Sequence, residues 1–95
     1  MRLILAPMEG VMDYTMRDLL TRIGGYDRCV TEFVRVTREV LPPRVFYRAC
    51  PELHHGSKTP LGVPVYVQLL GGEVHYIAAN AAAVANLGAA GIDIN

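Results

Sequence analysis

The hydrophobic positions of this chain change their spacing several times from one end to the other. Four short apolar runs, which start near residues 3, 29, 65 and 92, predict strands that are buried on both faces. The segments between them either show helical spacing of apolar residues or are rich in glycine, proline and polar residues. Because strands that alternate with helices are typical of parallel βα units, we predict an α/β fold.

The first helix is predicted to begin after Asp13, whose carboxylate can accept hydrogen bonds from the free N–H groups of the first turn. Gly24 and Gly25 end this helix, where a left-handed backbone is favoured. The apolar residues between these ends recur at i, i+3, i+4 and i+7 and form one stripe. They are Met16, Leu19, Leu20 and Ile23.

The middle of the chain predicts a second strand and a short helix. The strand candidate is Cys29–Phe33, and the Arg-rich segment 34–41 that follows it has an ambiguous period. Pro43 suits the first turn of a short helix over 44–50, because a proline N–H is not needed there. The next segment, 52–64, is polar and rich in glycine and proline, so we predict a loop.

The last part of the chain predicts a third strand, a helix and a fourth strand. Residues 65–70 include β-branched and aromatic residues, and residues 73–87 are alanine-rich and are followed by a glycine. With the strand that starts at Ile92, the chain holds about three and a half βα units, the N-terminal part of a TIM (β/α)8 barrel, which needs roughly 250 residues. We therefore expect residues 1–95 to be an incomplete, truncated barrel domain.

Composition narrows the classes of function. Nine basic and nine acidic side chains cancel, so net charge predicts neither a nucleic-acid nor a membrane partner. The sequence has no GxGxxG fingerprint and no P-loop, and its apolar runs are too short for a signal peptide or a membrane span. Cys29 and Cys50 form no CxxC pair and have no histidine at metal-ligand spacing, so we expect no metal and a reducing, cytoplasmic location.

The charge is nevertheless uneven along the chain. Residues 28–58 contain six basic and three acidic side chains. This segment is either a solvated face or a surface that binds RNA, and the sequence leaves both readings open. His54, His55 and His75 lie in polar surroundings, and we expect them to be solvated.

Candidate functional residues follow from the rule that a barrel carries its site at the carboxyl ends of its strands. They are Ala6, Pro7, Met8, Glu9 and Gly10 after the first strand, Glu32, Phe33 and Arg35 at the second, Gln68 in the third, and Asp93 and Asn95 at the fourth. The amides of Gln68 and Asn95 suit the polar edge of a flavin or a pyrimidine, although either could instead anchor a loop. Glu32 is more readily a partner for a neighbouring arginine than an acid or base.

Four blocks of sequence occur in order over essentially the whole chain. They are LAPMEGV (5–11) with Asp13, TEFVRV (31–36), VQLLG (67–71), and ANAA (79–82) with LGAAGIDIN (87–95). Together they resemble the tRNA-dihydrouridine synthases, and the second block has the form typical of the bacterial C subfamily. The Ala-Pro-Met triplet alone is weaker, because several flavin-mononucleotide barrels share it.

The resemblance implies a flavin-dependent reduction of RNA. A TIM barrel binds FMN at its strand ends, NADPH reduces the flavin, and a hydride passes to C6 of a uracil while a cysteine protonates C5. The uracil must leave the tRNA stack to lie against the flavin. The target in the C subfamily is expected to be the uridine at tRNA position 16.

The resemblance also implies roles for particular residues. Pro7, Met8 and Gln68 are expected to contact the FMN ring. Asn95 is expected to open the family's Asn-x-Gly-Cys-Pro motif and to hold the uracil, and Phe33 and Arg35 are candidates for the substrate side. The chain stops before the cysteine of that motif, and neither Cys29 nor Cys50 replaces it, so we expect no catalytic residue within the chain.

We expect the chain alone to be inactive. The later strands that hold the flavin phosphate and the helical domain that grips tRNA are absent, so FMN binding should be weak or undetectable. Unpaired strand edges should also make the chain self-associate. Two alternatives stay open: a non-catalytic α/β module that binds RNA or another partner through the Arg-rich segment, and a fragment of another FMN TIM-barrel oxidoreductase, which the 31–36 block disfavours.

Overall fold

The computed structural model describes residues 2–7, 10 and 12–95. Strands and helices alternate along this part of the chain. They are β1 (Ile4–Leu5), α1 (Tyr14–Ile23), β2 (Arg28–Val30), β3 (Val34–Arg35), α2 (Pro43–Ala49), β4 (Val65–Leu70), α3 (Val74–Asn86) and β5 (Ile92–Ile94), with a 3-10 helix at Pro51–His55 between α2 and β4.

The strands form one sheet in which every pairing is parallel. Strand β1 pairs with β2, and β4 pairs with both β2 and β3 and with β5. Consecutive βα units therefore lie side by side, as in a (β/α)8 barrel. The predicted α/β class is confirmed, and the architecture is that of the N-terminal part of a TIM barrel.

The predicted second strand, Cys29–Phe33, is wrong in its bounds. Two short strands, β2 and β3, stand in its place, and both run beside β4. Val30 lies opposite Tyr66 and Val34 lies opposite Leu69, so three residues of one strand face two of the other. One extra residue in a strand of a paired ladder is a β-bulge, which explains the break.

The core lies between the sheet and its helices. Along β4, Val65, Val67 and Leu69 are fully buried, whereas the residues between them are half-buried on the opposite face. Phe46 of α2 and Val84 of α3 are fully buried against the same cluster. Alternate positions of β4 therefore separate a helix-covered face from the face that would line a barrel.

Helix α1 begins as predicted but buries other residues than its apolar stripe suggests. The Asp13 carboxylate accepts a hydrogen bond from the Met16 N–H at 2.9 Å, which confirms the N-cap. Leu19 and Ile23 of the stripe are 52% and 75% exposed. The fully buried positions of this helix are instead Arg17 and Thr21.

A buried ion pair explains this orientation. Arg17 donates from Nε to one carboxylate oxygen of Glu52 at 2.7 Å and from Nη2 to the other at 2.9 Å. Its Nη1 donates to the Met12 carbonyl at 2.9 Å. Satisfying a charged pair inside the protein requires this helix face to turn inwards.

The segment 52–64, predicted as a polar loop, is partly ordered into local structure. It begins inside the 3-10 helix, where Glu52 and Leu53 are buried. Beyond that helix, a single antiparallel bridge joins Lys58 to Pro64. The short helix predicted over 44–50 is confirmed one residue earlier, with Pro43 in its first turn. Among the described residues, no helix is long and apolar enough to cross a membrane.

Candidate functional site

A cavity of about 290 Å³ opens at the carboxyl ends of the strands. It is lined by Pro7, Glu32, Phe33, Gln68 and Asn95. All five were candidates from the strand-end rule, although they are spread over most of the chain. The structure thus brings Pro7, Phe33, Gln68 and Asn95 together, while the roles assigned to them stay predictions.

The parallel sheet explains how distant residues meet in this cavity. Pro7 follows β1 by one residue, Gln68 lies in β4, and Asn95 directly follows β5. The Asn95 N–H donates to the Leu69 carbonyl at 2.9 Å, which continues the β4–β5 ladder to the cavity. Parallel strands end on the same edge of a sheet, so their last residues share one rim.

Glu32 forms a hydrogen bond with Met12, the residue before the N-cap of α1. Its Oε1 accepts a hydrogen bond from the Met12 N–H at 3.2 Å. We expected Glu32 to pair with a neighbouring arginine. This was wrong for the hydrogen bond that the structure shows, because its donor is the backbone N–H of Met12.

The cavity offers both polar and aromatic contacts. Within the described part of the chain, the side-chain amides of Gln68 and Asn95 accept and donate no hydrogen bonds. Each amide can therefore donate to and accept from a ligand. Phe33 adds a flat ring, so the lining fits a planar heterocycle whose edge carries both N–H and C=O groups. The volume is near the lower end of the roughly 300–1,000 Å³ typical of ligand pockets.

Arg35 lies beside the cavity and does not line it. Its side chain is exposed, and the guanidinium carbon is 5.6 Å from the centroid of the Phe33 ring. An arginine over an aromatic face is held by a cation–π attraction. The other expected contact, Met8, lies outside the described residues, as does Glu9.

Neither cysteine lies in the cavity. Cys29 is on β2 and Cys50 is the C-cap of α2, and both side chains are fully buried. Burial raises the pKa of the Cys29 thiol to about 11 and that of the Cys50 thiol to about 12, and the nearby Glu52 carboxylate adds to both shifts. Both thiols are therefore protonated at neutral pH, as expected for structural cysteines.

A larger cavity, about 460 Å³, lies elsewhere and shares no residue with the strand-end site. Its lining includes Tyr14, His55 and Lys58. His54 is exposed and stacks on Tyr47, with ring centroids 4.1 Å apart. We assign the site to the smaller cavity, because it joins polar groups from separate strand ends.

Sequence reasoning missed the structural role of Asn80 of α3, which is fully buried. Its Oδ1 accepts from the Leu41 N–H at 2.8 Å, and its Nδ2 donates to the carbonyls of Glu39 and Tyr76. A polar amide inside an alanine-rich helix was the available signal. Asn80 fastens the end of the Arg-rich segment to α3.

The arginines of the basic segment 28–58 have different partners. Arg28 packs over Tyr66, with its guanidinium carbon 4.5 Å from the ring centroid. Arg38 pairs with Glu73 at 2.8 Å on an exposed face. Within the described ranges, no cluster of three His, Cys, Asp or Glu side chains could hold a metal ion.

Comparison with known proteins gives matches over nearly the whole chain. The family model described as dihydrouridine synthase matches residues 4–95. The chain is 65% identical over all its 95 residues to a tRNA-dihydrouridine(16) synthase of Vibrio cholerae and covers 29% of that protein. Proteins of the same name from Vibrio vulnificus and Escherichia coli K12 are 63% and 54% identical over 95 residues, and the chain covers 30% of each. The chain spans less than a third of these relatives and belongs to the dihydrouridine synthase family.

Proposed function

We propose that this chain forms the N-terminal part of the FMN-binding barrel of a tRNA-dihydrouridine synthase that uses NADPH. The enzyme reduces the C5–C6 bond of a tRNA uridine, and the names of the relatives support position 16. One observation carries the proposal: Pro7, Phe33, Gln68 and Asn95, which lie far apart in sequence, line a single cavity at the strand ends.

Each lining residue has a part that its chemistry allows. The Gln68 amide holds the polar edge of the flavin ring, with Pro7 and Met8 bordering the ring. The Asn95 amide holds the uracil by its N–H and C=O groups. When bound there, FMN supplies the hydride that saturates the uracil ring.

The substrate side of the site is assigned to Phe33 and Arg35. An aromatic ring can stack on an extruded base, and a guanidinium can bind phosphate or a base edge. The guanidinium carbon of Arg35 lies 5.6 Å from the centroid of the Phe33 ring, so the two side chains are close enough to contact one ligand together. The tRNA partner therefore meets the protein beside the cavity.

The chain alone is proposed to be inactive. A proton donor for C5 is needed, and both cysteines of the chain are buried away from the cavity with raised pKa values. The chain also spans less than a third of its relatives, so most of the length that could contact FMN and tRNA in those proteins lies outside the matched 95 residues. Weak or undetectable FMN binding by the 95 residues follows.

A chimera tests the proposal. In this chimera, the chain replaces the matching 95-residue segment of the Vibrio cholerae relative. The chimera is titrated with FMN, and binding is followed by absorbance. We expect the chimera to bind FMN and the Gln68→Leu chimera to bind it more weakly by about tenfold or more, because a hydrogen bond to the ring is lost. Thr59→Val, outside the cavity and near the amino end of β4, should leave the affinity unchanged. A folded chimera that binds no FMN would contradict the proposal.

A further inference from the structure

The β-bulge between β2 and β3 has a consequence for the cavity. Glu32 and Phe33 are neighbours in sequence, yet both line the same cavity. In a regular strand, successive side chains point to opposite faces of the sheet. The extra residue of the bulge removes this alternation and turns two consecutive side chains to one rim.

Thr31 takes part in the ladder at this bulge through its side chain. The Thr31 N–H donates to the Tyr66 carbonyl at 2.9 Å, as in a regular parallel ladder. The next bond of such a ladder would run from the Gln68 N–H to the Thr31 carbonyl. Here the Gln68 N–H donates to the Thr31 hydroxyl oxygen at 3.1 Å.

The same hydroxyl also binds the bulged strand. Its proton is donated to the Glu32 carbonyl at 2.8 Å, and Thr31 is fully buried. The Thr31 hydroxyl oxygen therefore replaces the Thr31 carbonyl as acceptor, and the hydroxyl proton binds the carbonyl of the next residue, Glu32. Both residues that it touches, Gln68 and Glu32, line the cavity.

We infer that Thr31 is a positioning residue of the candidate site: its hydroxyl maintains the bulge that places Glu32 and Phe33 around the cavity with Gln68. The inference rests on the proposed function only for the identity of the ligand. The Glu32 side chain in turn accepts a hydrogen bond from the Met12 N–H, just before α1.

Replacing Thr31 with valine tests the role of the hydroxyl. Valine keeps the shape but leaves the Gln68 N–H without its acceptor and the Glu32 carbonyl without its donor. Serine keeps the hydroxyl and loses only the methyl group. A matched control is Thr59→Val, because Thr59 is also buried and its hydroxyl accepts a backbone N–H, that of Val63 at 3.2 Å.

Two readouts are taken on the folded chimera and its variants: FMN affinity by absorbance titration, and hydrogen exchange of the Gln68 amide. We expect Thr31→Val to weaken FMN binding by about tenfold or more and to speed exchange at Gln68. Thr31→Ser should stay close to the unsubstituted chimera in both readouts. Thr59→Val should change neither, although it also loses a buried hydroxyl.

The inference is overturned if Thr31→Val binds FMN as tightly as the unsubstituted chimera, or if serine fails to rescue. Should Thr31→Val not fold, exchange in the unsubstituted chimera decides: a Gln68 amide that exchanges faster than the other paired amides of β4 sinks the idea. If the chimera binds no FMN at all, the proposed function fails, and slow exchange at Gln68 that is lost on removing the hydroxyl still supports the role of Thr31.

Discussion

Removing one partner of the buried Arg17–Glu52 pair should cost this chain a large part of its stability. The side chains are 1% and 0% exposed, and the pair is bidentate. Burial of the guanidinium works to lower the pKa of Arg17, but the hydrogen bond and the negative charge of Glu52 outweigh burial and raise that pKa overall. The two hydrogen bonds, at 2.7 and 2.9 Å, give the pair the bidentate geometry that makes such contacts strong.

The cost of Arg17→Met follows from what the substitution leaves behind. Glu52 would stay buried without its charged partner, and the Met12 carbonyl would lose a donor at 2.9 Å. Breaking a buried pair on one side costs about 3–5 kcal/mol, whereas whole domains are stable by roughly 5–15 kcal/mol. For a domain of this size, that loss lowers Tm by about 12 °C or more.

Urea unfolding followed by circular dichroism measures the loss. The matched control is Arg22→Met on the same helix, because the Arg22–Asp18 pair is exposed (52% and 25%) and should contribute less than about 1 kcal/mol. The double variant Arg17→Met with Glu52→Leu should recover much of the stability, since an apolar pair leaves no unpaired charge. If Arg17→Met costs no more than Arg22→Met, the account of the buried pair is wrong.

Three further predictions concern other parts of the molecule. Cys29 and Cys50 should react slowly with a thiol reagent at pH 8 in the folded chain. Because their pKa values, about 11 and about 12, lie above the ordinary 9.0, the unfolded chain ionises first, and unfolding measurements should show stability falling as the pH rises from 9.0 through that range. Asn80→Leu should cost about 1–3 kcal/mol in urea unfolding and speed exchange of the Leu41 amide, whereas Asn86→Leu at an exposed position of the same helix should do neither. Sedimentation of the 95-residue chain should show concentration-dependent association through its strand edges, and a chain that stays monomeric at every concentration would contradict this.

The sequence predicted the order of elements well because short apolar runs and helical spacing are local signals. The rim of the site was predictable for a related reason, since carboxyl ends of parallel strands meet wherever the strands themselves are known. Pro7, Gln68 and Asn95 were expected at one rim on that basis, and all three line one cavity in the structure.

Other features depend on contacts between distant residues and carry no local pattern. The run from Cys29 to Arg35 gives no sign of its bulge. In the sequence, a threonine whose hydroxyl replaces a backbone carbonyl as the acceptor cannot be told from any other strand threonine. Arg17 was overlooked because charged residues are usually solvated, and its partner Glu52 is 35 residues away. The Met12 N–H as partner of Glu32 was equally out of reach, being set by the tertiary fold.

We propose that Gln68 and Asn95 serve one site at the strand ends of a dihydrouridine synthase barrel. The most direct test is mass spectrometry of tRNA from an Escherichia coli strain that lacks its own tRNA-dihydrouridine(16) synthase and expresses the chimera. We predict that dihydrouridine returns at position 16 with the chimera, and that Gln68→Leu and Asn95→Ala each lower it strongly while Thr59→Val does not. A folded chimera that leaves position 16 unmodified, or that modifies it equally well without both amides, would contradict the account.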